Sequence, residues 1–345
     1  MLPLAADKGL YVAARLRDDG RLRLASLDQP QIVEIDASQI GTTRDPSHGW
    51  GSYPIGVFRE FAAATGHARG VEMVFAGDLP MASGLSSSAA IEVVTAFALN
   101  ALHGTGLSGK QLAMLGHRAE NDYVGLRCGI MDQFASALGR PGHVLWLHCH
   151  TQSFEHVPLD AAALDILVLD TRKARELAAS GFNQRVRECA EAFAVLTECI
   201  GPQPFLAAYT PEDVERARTR MSPTIHRRAR HVATEMQRVT IAATALRGGD
   251  LARLGAALDA SHASARDDYE VSCAELDVIT AAAREVDGVF GARLTGAGFG
   301  GCAIALVAPG RTEDVAAHVG RKFVAAFGVE PRFDVLRPGP GPCEI

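Results

Sequence analysis

Between an alternating stretch, VEMVFAGDL, and a long apolar run from about Ser86 to Leu102 stand Pro80, Met81, Ala82, Ser83, Gly84, Leu85, Ser86, Ser87 and Ser88. Alternation with period two gives way to helical spacing across those few residues, which commits the chain to a strand, a tight turn and a helix. Gly84 lets backbone approach a ligand with no Cβ in the way. The first N–H groups of the helix that follows are unpaired and lie at its positive end. A turn of this kind suits an anion, phosphate above all. It is not a Walker loop, because G-K-[ST] is missing, nor a dinucleotide fingerprint, because G-x-G-x-x-G is missing from it. Read alone, the serine run is more simply the cap of a core helix.

A phosphate site here must work by local means, because 34 Lys and Arg stand against 40 Asp and Glu, a formal net charge of -6. Backbone N–H groups, a helix N-terminus and a divalent metal are those means. Without a basic block, nucleic acid is not an expected partner and a membrane surface is not either. The seven cysteines lack paired spacing, which fits a reducing cytoplasm rather than a disulfide framework. The opening MLPLAADKGLYVAARL has no basic segment followed by an apolar one, and no apolar run reaches the ~18 residues that span a bilayer.

With 345 residues, 48% of them hydrophobic, the chain can bury two cores. Residues 10–36 alternate around Asp18, Asp19 and Gly20, which predicts a β-hairpin followed by a further strand in QIVEID. Helices are expected from Trp50 to Ala64, from Ser86 to Leu102, from a Ser108 cap to about Tyr123, and from Gly129 onward. HVLWLHC is read as a strand. Near Asp160 the character changes: ALDILVLDT opens a second domain with long helices over about 174–199, 225–246 and 251–264. The expected domains are 1–160 and 161–345, the class is α+β, and RPGPGPCEI is read as an irregular tail.

Two further segments carry chemistry. In H-R-A-E-N-D-Y-V-G-L-R-C-G-I-M-D-Q-F, Glu120 and Asp132 flank a glycine-interrupted break between helices. Phosphoryl transfer needs a metal bridging phosphate oxygens and a group to take or orient the acceptor's proton, and two carboxylates can fill both roles. By themselves a late-helix Glu and an early-helix Asp are ordinarily solvated or capping groups. In R-L-T-G-A-G-F-G-G-C, Gly296, Gly298, Gly300 and Gly301 lie between apolar strands, where a sharp β-turn is the plain reading.

Taken together these segments resemble one family. P-M-A-S-G-L-S-S-S-A-A is similar to the second signature of the kinases that act on galactose, homoserine, mevalonate and phosphomevalonate, the GHMP kinases. R-A-E-N-x-x-V-G-x-x-C-G-I-M-D-Q-F is similar, more narrowly, to galactokinases, and the glycine turn to the family's third signature. The resemblance implies a two-domain GHMP-kinase-like fold, α+β, with the active site between the domains. It implies transfer of phosphate from ATP to the C1 hydroxyl of galactose, giving galactose 1-phosphate and ADP, with Mg2+ as cofactor and a monomeric protein. On this resemblance Ala82, Ser83, Gly84, Leu85, Ser86, Ser87 and Ser88, with Gly296 and Gly298, bind ATP. Ser88 and Glu120 hold the metal, Asp132 is catalytic, and Gly129, Asp132 and Phe182 contact the sugar. Asp267 to Asp277, D-D-Y-E-V-S-C-A-E-L-D, also resembles galactokinases and is assigned to packing.

The resemblance has gaps. Galactokinases carry a segment of the form G-R-x-N-L-I-G-E-H-x-D-Y ahead of a strand like Met1 to Ala14. A chain starting at Met1 is expected to lose much of its sugar recognition, unless an initiation codon lies upstream. Phe182 stands where galactokinases usually have Tyr. Two alternatives stay open: a kinase for N-acetylgalactosamine, galacturonate or arabinose, and a catalytically impaired sugar or nucleotide sensor. His148, Cys149 and His150 are read as strand packing rather than a metal site. The basic run from Arg216 to His231 is read as a solvated helix face.

Overall fold

The computed structural model describes residues 1–79, 86–174 and 178–345. The chain divides into two compact units, 1–156 with 337–345, and 157–336.

The first unit is built from β1 (Leu10–Leu16), β2 (Arg21–Ser26), β3 (Gln29–Asp36), α1 (Ser52–Thr65), β4 (Val71–Gly77), α2 (Ser87–His103), α3 (Gly109–Arg118), α4 (Met131–Ala137), β5 (His143–His148) and β6 (Ser153–Pro158), the last crossing the division. The expected hairpin around Asp18 to Gly20 is not one. The sheet order is β1-β4-β2-β3, so β4 lies between β1 and β2, antiparallel to the first and parallel to the second. The reason is burial: Val71, Met73 and Phe75 are each 1% exposed, and a strand with so apolar a face belongs in the middle of a sheet. The hairpin that does form is β2 with β3. Against the sheet α1 and α2 bury Ile55, Phe58, Phe61, Ala96 and Leu99. Ser108 and Gln111 exchange bonds in a capping box that starts α3. After Arg118 the helix widens into a π-helical turn, Ala119–Val124, a deviation that often accompanies function.

The C-terminal residues join this unit rather than trailing from the second, which corrects the expected range 161–345. Asp7 N donates to Arg337 O at 2.9 Å and Arg337 N donates to Asp7 Oδ1 at 3.0 Å, Gly339 N donates to Ala5 O at 2.8 Å, and Gly341 N donates to Gly139 O at 2.8 Å. A Pro/Gly-rich segment can follow the surface this closely because it carries little side chain. A Cβ on Gly339 would stand 2.3 Å from Ala6 O.

The second unit holds β7 (Asp165–Asp170), α5 (Ala178–Ile200), α6 (Pro211–Arg216), α7 (Pro223–Gly248), α8 (Leu251–Asp267), α9 (Ala274–Arg284), β8 (Val289–Leu294), β9 (Cys302–Val307), α10 (Thr312–Phe327) and β10 (Arg332–Leu336). Its sheet runs β10-β7-β9-β8, antiparallel throughout. α8 lies against β8 at backbone distance: a Cβ on Gly255 would be 1.8 Å from Phe290 O. The basic run is not wholly solvated. Arg228 is 1% exposed, bonded to Glu188 and Glu270 and, through Nη1, to Asp268 O at 2.5 Å. The helix turns that cation inward because carboxylates and a carbonyl there replace its water. Among the described residues no helix is long and apolar enough to cross a membrane.

Candidate active site

Ser86 begins the described part of the serine-rich segment, with φ of 52°, a left-handed conformation that costs a residue with a side chain free energy. Its hydroxyl donates to Asp132 Oδ2 at 2.6 Å. Asp132 stands in the first turn of α4, so the start of α2 and the start of α4 meet through this bond. Ser87 and Ser88 form the first turn of α2. Ala82, Ser83, Gly84 and Leu85 lie outside the described residues.

Glu120 projects from the π-helical turn and is 7% exposed. α1 holds that turn close, since a Cβ on Gly56 would touch Tyr123 Cδ1 at 2.9 Å. Glu120 Oε2 accepts from Gln133 Nε2 at 2.7 Å and from Cys128 Sγ at 3.0 Å. Asn121 clamps the following loop, with its Oδ1 accepting from Cys128 N at 3.1 Å. Burial first, then the hydrogen bond to Glu120, pushes the Cys128 thiol up to about 12, so it stays a neutral donor. Gln133 also gives its amide to Glu92 Oε2 at 2.9 Å. Glu92, one helical turn beyond Ser88, is fully buried, and burial followed by the negative charge of Glu120 raises its carboxyl to about 9. Gly129 faces open space: a Cβ there would meet nothing within 4 Å.

In the second unit the glycine turn is a run of positive φ: 73° at Gly296, 78° at Gly298, 60° at Phe299, 126° at Gly300 and 76° at Gly301. D-D-Y-E-V-S holds it. Phe299 N donates to Val271 O at 2.7 Å, and a Cβ on Gly298 would lie 2.1 Å from that same oxygen. Glu270, next to Val271, is gripped by Arg227 and Arg228. The Phe299 ring lies over Gly181, where a Cβ would meet it at 2.6 Å. Phe182 follows on α5, 41% exposed.

The structure thus brings Ser86 to Asp132 and ties Glu120 to the residue after Asp132. Glu92 and Gln133 escaped the sequence reading. One signal existed, a lone carboxylate inside the apolar run A-A-I-E-V-V, which signals a specific buried partner. His148, Cys149 and His150 are all exposed at and beyond the end of β5, so strand alternation does not orient them as expected. Among the described residues no group of three or more His, Cys, Asp or Glu could cage a metal. Mg2+ commonly takes only one or two protein ligands and completes its coordination with substrate oxygens and water. Ser88 and Glu120 suit that role, being hard oxygen donors, and both bonds to the Glu120 carboxylate named above use Oε2, not Oε1.

The GHMP kinases N terminal domain model matches residues 52–140, and the GHMP kinases C terminal model matches 242–329. The chain is 38% identical to a galactokinase of Streptococcus thermophilus, covering 96% of this chain and 86% of that one. It is 39% identical to a galactokinase of Chloroflexus aurantiacus, covering 89% and 78%. The crystal structure of Lactococcus lactis galactokinase complexed with galactose matches with a TM-score of 0.92 at 35% identity, over 97% and 87% of the two chains. Methanococcus jannaschii mevalonate kinase matches at 0.70 with 17% identity, over 97% and 90%, a likeness of fold alone.

Proposed function

This chain belongs to the galactokinases, and on that footing we infer that it phosphorylates galactose with ATP at the C1 hydroxyl, releasing ADP. The observation that carries the reading is the Asp132 carboxylate, held by Ser86 at the mouth of the phosphate turn at 2.6 Å. The sugar C1 oxygen attacks the γ-phosphorus, the bond from that phosphorus to the β,γ-bridging oxygen breaks, and Asp132 accepts the hydroxyl proton. Ser86 fixes which carboxylate oxygen is turned toward the start of α2. N–H groups in the first turn of α2, with the turn from Ala82 to Ser88, receive phosphate oxygens. Ser88 and Glu120 would hold Mg2+, which would supply positive charge to offset that of the transferring phosphates. Gly129 offers backbone beside the sugar, where no side chain intrudes. Phe182 is proposed as a further sugar contact, and Gly296 and Gly298 as further ATP contacts. This support is by resemblance, as is that for a monomer. Among the described residues the seven cysteines form no disulfide, the usage expected of a reducing cytoplasm.

The reading is tested by ADP release from ATP and Mg2+ across galactose, N-acetylgalactosamine, galacturonate and arabinose. Galactose is expected to give the largest kcat/KM. Asp132→Asn is expected to lower kcat by at least about a hundredfold with ATP binding retained. Turnover that survives this substitution sinks the assignment of Asp132, and turnover confined to another sugar sinks the substrate.

A further inference from the structure

We propose that Gln133 is a positioning residue for the metal-binding carboxylate, a single buried amide that locks Glu120 to Glu92 and to the helix start carrying Asp132. The proposal rests on the reading of Glu120 as a Mg2+ ligand. Gln133 is fully buried, and its Nε2 group bonds Glu120 Oε2 at 2.7 Å and Glu92 Oε2 at 2.9 Å. An amide nitrogen has two N–H bonds, and both are used. The packing around the amide leaves no slack: a Cβ on Gly116 of α3 would stand 3.0 Å from Glu92 Cβ and 3.3 Å from Gln133 Cγ. Glu92 belongs to the middle of α2 and is itself fully buried, so it is a fixed anchor and not a mobile arm.

The consequence is geometric. Asp132 and Gln133 are adjacent in α4, and each side chain ties α4 to α2, one at Ser86 and the other at Glu92. Only Gln133 extends the tie to the π-helical turn that bears Glu120. One dipeptide therefore sets the separation between the proton-accepting carboxylate and the metal-binding one. Outer partners of metal ligands act this way, and losing one typically weakens metal affinity by about 10- to 100-fold. A polar residue that merely filled the core would leave metal affinity alone.

Gln133→Met keeps the length and removes both donors. Binding of Mn2+ to the enzyme with ADP, followed by electron paramagnetic resonance, is expected to weaken by about tenfold or more. The Mg2+ concentration for half-maximal rate should rise in parallel, while KM for galactose changes less than about twofold. Unchanged Mn2+ affinity in a folded Gln133→Met protein overturns the proposal. If that variant fails to fold, the pair Glu92→Gln and Glu92→Leu decides. The first keeps a carbonyl oxygen for the amide and should hold Mn2+ affinity within about threefold, while the second should lose about tenfold. Equal behaviour of the two overturns it. Glu120→Ala separates the failures: if it leaves Mn2+ binding intact, the metal assignment is wrong, whatever Gln133 does. Mn2+ binding needs no galactose turnover, so the test stands apart from the choice of sugar.

Discussion

Ser86 carries two loads in one residue. Its φ of 52° turns the chain into α2, and its hydroxyl holds Asp132. The two can be separated. Ser86→Ala removes the bond and leaves the left-handed backbone without a side chain suited to it. Ser86→Gly removes the bond and relieves the backbone. A hydrogen bond to a charged group contributes about 1.5–3 kcal/mol, so both variants are expected to lose about tenfold in kcat, with Ser86→Ala alone less stable by about 1 kcal/mol. Steady-state kinetics with thermal melting checks this. Equal melting of the two would remove the strain argument, and an unchanged kcat would remove Ser86 from the positioning of Asp132.

At the scale of elements, His262 joins three of them. It lies on α8, its Nδ1 accepts Leu294 N of β8 at 3.2 Å, and its Nε2 is 3.0 Å from Thr280 Oγ1 and 3.2 Å from Asp277 Oδ1 on α9. Because Nδ1 accepts, the proton sits on Nε2 and the ring is neutral. Burial, then the charge of Arg284, lowers its pKa to about 4, against Asp277, which raises it. His231, stacked on Tyr269, is lowered to about 4 as well, mainly by burial. A free histidine has a pKa near 6.5, so between about pH 6.5 and 4 the unfolded chain binds more protons than the folded one. Stability is therefore complete above that window and declines as pH falls through it. Calorimetry should show a melting temperature that drops across this range, and His262→Gln should flatten the drop. A profile that is level from pH 6.5 to 4 contradicts the buried neutral rings.

At the scale of the whole molecule, the chain ends where it began, with residues 337–345 returned to the first unit. Gly339→Val would drive a side chain into Ala6 O, 2.3 Å from the Cβ position. A loss of about 1–3 kcal/mol is expected, seen as a lower melting temperature with the kinetic constants of the folded enzyme unchanged. A variant as stable as the parent would mean that the segment does not dock as described. Local chemistry made several elements legible in the sequence alone. The start of α2 after Ser86, the Ser108 cap and the glycine turn before CAIALV are short-range patterns, since a helix start or a left-handed turn is decided by a few adjacent residues. The family was legible for the same reason, because its signatures are contiguous. Pairing was not: β4 separates β1 from β2, and the Pro/Gly tail returns to Ala5 and Gly139, because partners distant in sequence are chosen by which apolar faces and backbone groups remain to be covered. The polar bridge of Glu92, Gln133 and Glu120 was hidden in the same way. Each residue by itself is an ordinary Glu or Gln, and only folding removes the water that would otherwise keep them apart.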